Sequence, residues 1–424
     1  MWNDANHDEQ TGSVAQLGPL AGLRVIDLTV ALAGPYCTLL LAGLGAEVIK
    51  IEAPGGSDIA RNNPPYVGGP GLNYNAPAPG EVSLSMLDRH RNKKSITLDL
   101  KASEGRDLFL ELVKKADVLV ENFSIGTMER LSIDYATLST INPGLIYTSV
   151  SSLGQDAPPA IKGMDIIVQA MSGVMEVTGF ADGPPCRVGF PLADILAPHY
   201  ALSGIMAAII HRGRSGRGQR VDISMVDCLT SLLAMEHFDI LVAAGESART
   251  GNNQDRLTPF GIYKTSDSYV AIAAPQDAWT HAMFRAMGQP ELANDERFRM
   301  RGGRAIHAKI LNGIIETWTS SRSTEAVVSL LLSHGVTAAA VRTPGQAFAD
   351  PGIRQRGAVV TLRHPMLPEG IETATAGVPI QFSDCRAGYD QQAPMLGDHN
   401  PEIYGSLLGL SETQIQDLKA RAII

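Results

Sequence analysis

The stretch "LRVIDLTVALAGPYCTLLLAGLGAEVIKIE" (residues 23–52) sets two short β-branched runs on either side of a run of small and apolar residues. "LRVIDLT" (23–29) and "AEVIKIE" (46–52) read as buried strands, and "GPYCTLLLAGLG" (34–45) reads as the helix between them. Together they make a βαβ unit, whose right-handed crossover follows from backbone chirality. The pattern recurs downstream. "SEGRDLFLELVKKA" (103–116) puts Leu108, Phe109, Leu112 and Val113 on one helical face, with Ser103 as the expected N-cap. "DVLVEN" (117–122) and "GLIYTSVS" (144–151) follow as strands. Four such strands predict a doubly wound α/β fold with a parallel sheet, whose ligands meet the carboxyl ends of the strands. The dinucleotide fingerprint is missing, because the first turn, "TVALAGPYC" (29–37), has one glycine where three belong. NAD and FAD are therefore not expected.

Beyond the sheet, "LADILAPHYALSGIMAAIIHR" (192–212) predicts a long interior helix, a glycine turn follows, and "RVDISM" (220–225) is a further strand. The segment 226–255 reads as a helical linker. "FGIYKTSDSYVAIAA" (260–274) alternates like a hairpin around Ser266-Asp267-Ser268, and "GVTAAAV" (335–341) is strand-like. These bounds predict a leader at 1–18, a large domain at 19–225, a smaller α+β domain at 256–345 and a second linker at 346–374. The last 75 residues or so are rich in Pro and Gly and end in a short helix, "SETQIQDLKARA" (411–422).

Composition narrows the function. The chain of 424 residues is 44% apolar and 19% charged, as globular proteins are, and its formal charge of −9 argues against nucleic acid as a partner. Cys37, Cys186, Cys228 and Cys385 lie far apart, which suits neither a disulfide framework nor a metal site and predicts a reducing, cytoplasmic setting. The start, "MWNDANHDEQTGSVAQ" (1–16), is polar and acidic and unlike a signal peptide. The apolar run at 200–210 is too short to span a bilayer, so no membrane is expected.

One carboxylate stands out. "EVTGFADGPPCRVG" (176–189) carries Asp182 among glycines, prolines and small residues, with no histidine or second acid beside it. Read alone, Asp182 is a turn acid. Read chemically, a carboxylate with an ordinary pKa of about 3.9 is already an anion near neutral pH and needs no base to activate it as a nucleophile.

Six segments in register decide between those readings: "GLRVIDLTVALAGPYCTLLLAGLGAEVIKIEAPGGSD", "RNKKSITLDLK", "DVLVENF", "NPGLIYTSVSSLGQ", "VTGFADGPPCRVG" and "SGRGQRVDISM". The chain resembles the family III CoA-transferases of the CaiB/BaiF type, from about residue 19 to "LGDHNPEIYGSLLGL" (396–410). The resemblance implies a Rossmann-like large domain completed by 375–424, a small domain, and two chains interlocked as rings in a homodimer. It implies that CoA moves from an acyl-CoA donor, succinyl-CoA or similar, to a free carboxylic acid. Asp182 would attack the donor thioester and pass through an anhydride and an aspartyl-CoA thioester. No tightly bound cofactor or metal is implied; coenzyme A enters as substrate. Leu98 and Lys101 fall where the family contacts CoA, Asn122 and Phe123 follow at the end of a strand, where sheet ligands are expected, and Arg130 is a further candidate for the phosphates. Leu98 and Phe123 also read as plain core residues. Two matches fail, with Ala53 and Ser151 where some members carry basic residues. Gly251, Asn252, Asn253 and Gln254 of "RTGNNQDRLTPFG" (249–261) replace the glycine run of formyl-CoA transferases. They read either as a loop that orients the acceptor acid or as a flexible surface loop.

The cation run "RHRNKK" (89–94) reads equally as a solvated loop or as a phosphate attractor for CoA. A related activity, α-methylacyl-CoA racemisation, would use Asp165 of "KGMDIIVQAMSGV" (162–174) as one of two bases. Its second base, a histidine just upstream, is missing, since no histidine lies between His90 and His199. Asp165 then becomes a structural acid or helix cap. A third reading is a protein that binds acyl-CoA without turning it over.

Overall fold

The computed structural model describes residues 18–69, 71–158, 163–367 and 373–424; the expected leader lies almost wholly outside them. The chain divides into two compact units: Met1–Val168 with Pro191–Leu229 and Asp350–Ile424, and Gln169–Phe190 with Thr230–Ala349.

The first unit is built on six parallel strands: β1 (Arg24–Asp27), β2 (Glu47–Glu52), β3 (Lys93–Thr97), β4 (Val118–Glu121), β5 (Ile146–Ser151) and β6 (Arg220–Ser224). Their order across the sheet is β3-β2-β1-β4-β5-β6, the doubly wound arrangement. The strand order reverses between β1 and β4, which opens a crevice at the carboxyl ends of those two strands. Alternation along each strand separates two faces. Ile26, Ile49, Ile51 and Ile96 point into an apolar core with Phe109, Leu112 and Val113 of helix α2 (Ser103–Val113). On β1, β2 and β3, alternate positions carry Asp27, Lys50 and Lys93, all buried.

Helix α1 (Ala33–Gly43) joins β1 to β2, and helix α3 (Leu192–Ser215) packs on α1, β5 and β6. The buried residues of α3 are Ala193, Ala197, Pro198, Ala201, Ile205 and Ala208, while Tyr200 and Ile210 stay exposed. The expected interior helix is thus buried along one stripe only. Helix α2 also differs in detail. It begins at Ser103 with Ala102 at the N-cap, because a turn closed by the Asp99 carbonyl and carboxylate brings the chain into the helix one residue early. The run "NKKSIT" supplies β3, an edge strand, and the C-terminal chain covers it. Thr97 donates its N–H to Asn400 Oδ1, Tyr404 donates its hydroxyl to the Thr97 carbonyl at 2.6 Å, and Ile424 ends in the core.

In the second unit, β7 (Phe260–Lys264) and β8 (Tyr269–Ala273) form the expected hairpin, and β9 (Thr337–Ala340) pairs antiparallel with β8. Tyr263, Val270 and Ile272 face inward onto Met283 and Phe284 of helix α4 (Asp277–Ala286). Leu311, Ile315 and Trp318 of α5 (Ala308–Ser320) and Val327 of α6 (Thr324–Ser333) join the same core. Asp267 in the hairpin turn accepts the Thr324 N–H at 2.8 Å and so starts α6. The grouping differs from the expected bounds at 169–190 and 230–255, which belong to this unit: hydrogen bonds and side-chain packing tie 176–180 to 249–251.

Candidate active site

Asp182 sits at the tip of a loop that leaves the short helix Val174–Val177. Thr178 turns its hydroxyl back to the Val174 carbonyl, and a turn from Phe180 O to Gly183 N folds the tip. Cys186 N closes the base through the carbonyls of Met175 and Thr178. Pro184 and Pro185 stiffen the returning limb of the loop by fixing φ. Residues 181–187 are exposed except for half-buried Gly183.

A second segment, 249–254, packs on this loop. Gly251 donates its N–H to Gly179 O at 3.0 Å, and a Cβ at Gly251 would come within 2.6 Å of the Phe180 ring. Its φ of +62° also favours glycine. Arg249 Nη1 donates to the Glu176 carbonyl at 3.3 Å and lies 3.2 Å from the Glu176 carboxylate. Between the two segments and α5 lies a cavity of about 700 Å³, a size usual for small-ligand sites. Asp182, Phe180, Arg249, Asn253, Gln254 and Lys309 line it, so two of the four expected loop residues meet the expected nucleophile. Asn252 is exposed, and its carbonyl accepts Ile262 N.

In the first unit the crevice at the switch point is held by Asn122, whose amide bonds both Val30 N and Val30 O across β1 and β4 at 2.8 and 2.9 Å. The single glycine of that turn, Gly34, is required there: a Cβ would lie 2.4 Å from Thr29 and 2.9 Å from Asn122. Phe123 follows, half-buried, with its N–H on Glu121. Leu98 is core, Lys101 is exposed, and Arg130 is exposed with a bond to Thr127. Asn122 and Phe123 thus stand at the crevice. At the end of β5, Ser151 Oγ and, just beyond, Gln155 Nε2 are buried without a hydrogen-bond partner among the described residues.

Most of the cation run serves the fold. Lys93 is buried against Asp27 at 3.0 Å, and His90 against Asp58 at 3.2 Å. Arg91 stacks on Tyr389, Lys94 pairs with Glu47 and Glu402, and Arg89 holds the Ala31 carbonyl. The reading as a phosphate attractor gives way to this internal pairing. Burial opposes the charge on Asp27, but Lys50 and Lys93 outweigh it and hold the carboxyl below the usual range. Asp58 is likewise held low: burial opposes its charge, and His90 and Lys50 overcome that. It binds Lys50 at 2.9 Å and accepts Ala31 N, so the network reaches the β1–α1 turn, where Ala31 is left-handed at φ +69°. Burial pushes the His90 imidazole down to about 4. Asp165 accepts the N–H groups of Ala193 and Asp194 at 2.8 and 3.3 Å, the work of a helix cap at the start of α3.

These sites can be set beside known proteins. Residues 20–400 match the family model described as CoA-transferase family III. The chain belongs to that family. A succinyl-CoA:mesaconate CoA-transferase of Haloarcula hispanica is 38% identical, over 91% of this chain and 96% of its own. A succinyl-CoA–D-citramalate CoA-transferase of Chloroflexus aurantiacus is 36% identical, over 96% and 98%. The crystal structure of a CaiB/BaiF family protein from Brucella suis superposes with a TM-score of 0.78 at 33% identity, covering 92% of this chain and all of that one. The transferase therefore moves CoA between acids and takes CoA thioesters as substrates. Sequence reasoning overlooked Arg249 and Phe180. The signal lay in "RTG" (249–251), where a cation precedes a glycine that has to pack under another loop.

Proposed function

We propose that the transferase moves CoA from succinyl-CoA to a free dicarboxylic acid through covalent intermediates on Asp182. The observation that carries this reading is Asp182 at the wall of a ligand-sized cavity, whose lining among the described residues includes no histidine or cysteine. The donor and acceptor classes are supported by the names of the two similar transferases. A carboxylate oxygen of Asp182 bonds to the thioester carbonyl carbon, the C–S bond breaks and CoA leaves as thiolate. The thiolate then attacks the aspartyl carbonyl of the anhydride and releases the donor acid. The acceptor carboxylate displaces CoA from the aspartyl thioester, and the returning thiolate takes the new acyl group and frees Asp182. Anhydrides hydrolyse, so the site has to exclude water.

CoA is proposed to contact Asn122 and Phe123 at the switch point, together with Leu98, Lys101 and Arg130. Two chains are proposed to interlock. The exposed apolar side chains Met164, Ile166, Ile167 and Met171, and the exposed side of α3, support that assembly. Asp182→Ala should abolish transfer from succinyl-CoA to mesaconate while CoA binding, measured by calorimetry, persists. Hydroxylamine added during turnover should label Asp182. A variant that keeps substantial turnover, or a peptide map without an adduct at 176–189, would refute the covalent route.

A further inference from the structure

We propose that Arg249 is the positioning residue of the nucleophile loop; the inference rests on Asp182 being the nucleophile. Among the described residues no hydrogen bond or ion pair holds the Asp182 carboxylate, so the backbone of its exposed loop sets its place. Within itself that backbone is closed by the turn from Phe180 O to Gly183 N, by Cys186 N to Met175 O and Thr178 O, and by the Thr178 hydroxyl on Val174 O, and Gln169 Oε1 holds Val188 N; from the second segment it is held by Gly251 N to Gly179 O and by Arg249 to Glu176. Among the described residues Arg249 is the one side chain of 249–254 that hydrogen-bonds to this loop. It grips both the carbonyl and the carboxylate of Glu176, six residues before Asp182, and its side chain is 15% exposed. It also lines the cavity that Asp182 lines. Among the described residues its Nε is buried with no partner, which a guanidinium kept for folding alone would rarely leave so. A nucleophile has to be held within about 0.5 Å of its productive place, and a displacement of about 1 Å lowers rates by about 100-fold.

Steady-state kinetics of the full chain with succinyl-CoA and mesaconate test this. Arg249→Ala should lower kcat by about 100-fold while the KM for succinyl-CoA and the Kd for CoA stay within about twofold. Methylguanidinium in solution should restore part of the lost rate, because it refills the vacated grip. Arg249→Lys keeps the charge without the planar fork and should fall between Arg249→Ala and the native protein. A native kcat in Arg249→Ala overturns the proposal, and so does a loss that tracks the unfolded fraction by circular dichroism and is not rescued. Should Arg249→Ala not fold, Glu176→Gln decides, since the Glu176 side chain is 62% exposed. A fall in kcat at constant KM supports the proposal, and an unchanged kcat overturns it. Asp182→Asn separates the two layers. If it is dead while Arg249→Ala is unimpaired, only the positioning role fails; if it is active, the nucleophile reading fails and takes the positioning role with it.

Discussion

Phe180, two residues before Asp182, and Gly251 come together from 71 positions apart in the chain, and their junction is a contact between a ring and a glycine with no side chain. Phe180 fills the space that a side chain at 251 would take. Gly251→Ala should therefore push the Phe180 ring away and strain a left-handed backbone, shifting the loop that carries Asp182. The expected outcome is a loss of about 1–3 kcal/mol in stability with a larger proportional loss in kcat. Urea unfolding and steady-state kinetics on the same preparation check both. A variant with native kcat would show that the packing of 249–254 on the loop is irrelevant to turnover. The residue types at 179–186 were legible as a turn with an available acid. That Phe180 points at Gly251 was not, because ring direction depends on a segment with no local link to it.

At the scale of elements, the β1–α1 turn is the clearest case of sequence and structure agreeing for different reasons. The strand–helix–strand pattern was legible from hydrophobic runs, and its single glycine excluded a dinucleotide loop. What holds the turn was not legible. Asp58, Arg89 and Asn122 reach it from three separate segments, and Asp27, Lys50 and Lys93 form a buried charge network beneath it. A lysine inside a charged run reads as solvated, but Lys93 alternates inward on an edge strand and finds a carboxylate there. Lys93→Met should leave Asp27 undercompensated and destabilise by about 3–5 kcal/mol, more than a surface charge removal would. Chemical denaturation checks the size. A cost below about 1 kcal/mol, the usual worth of an exposed pair, would mean that the network is solvated in solution.

For the whole molecule, the buried acids set opposing pH slopes. Glu121, at the crevice end of β4, is pushed from 4.5 to about 7, mainly by burial and against the bonds from Ser149 and Phe123 N. Between those values the folded chain binds the proton and the unfolded chain does not. The Glu121 contribution is thus full below about pH 4.5 and is lost as pH rises through about 7. Asp27 and Asp58, held low, have the opposite sign, since their stabilisation is present above the ordinary aspartate range and is lost in acid. Glu121→Gln should gain about 2–3 kcal/mol relative to the native chain between pH 5 and pH 8. Urea unfolding of both proteins at the two pH values gives that difference, in which every unaltered group cancels. A difference that does not change with pH would mean that Glu121 is ionised throughout.

The sequence by itself determined the βαβ repeat, the hairpin of the second unit, the family and the one acid that stands among glycines and prolines. These follow from periodicity, turn chemistry and residue order, all of which are local or collinear. Only the tertiary structure decided that "NKKSIT" is an edge strand covered by the C-terminal chain, that most of the cations at 89–94 face carboxylates rather than ligand, and that Arg249 grips the helix before Asp182. The ties of Lys93 to Asp27, Arg249 to Glu176 and Tyr404 to Thr97 span 66, 73 and 307 residues. Burial and pairing at such separations are properties of packing, and no local pattern encodes them.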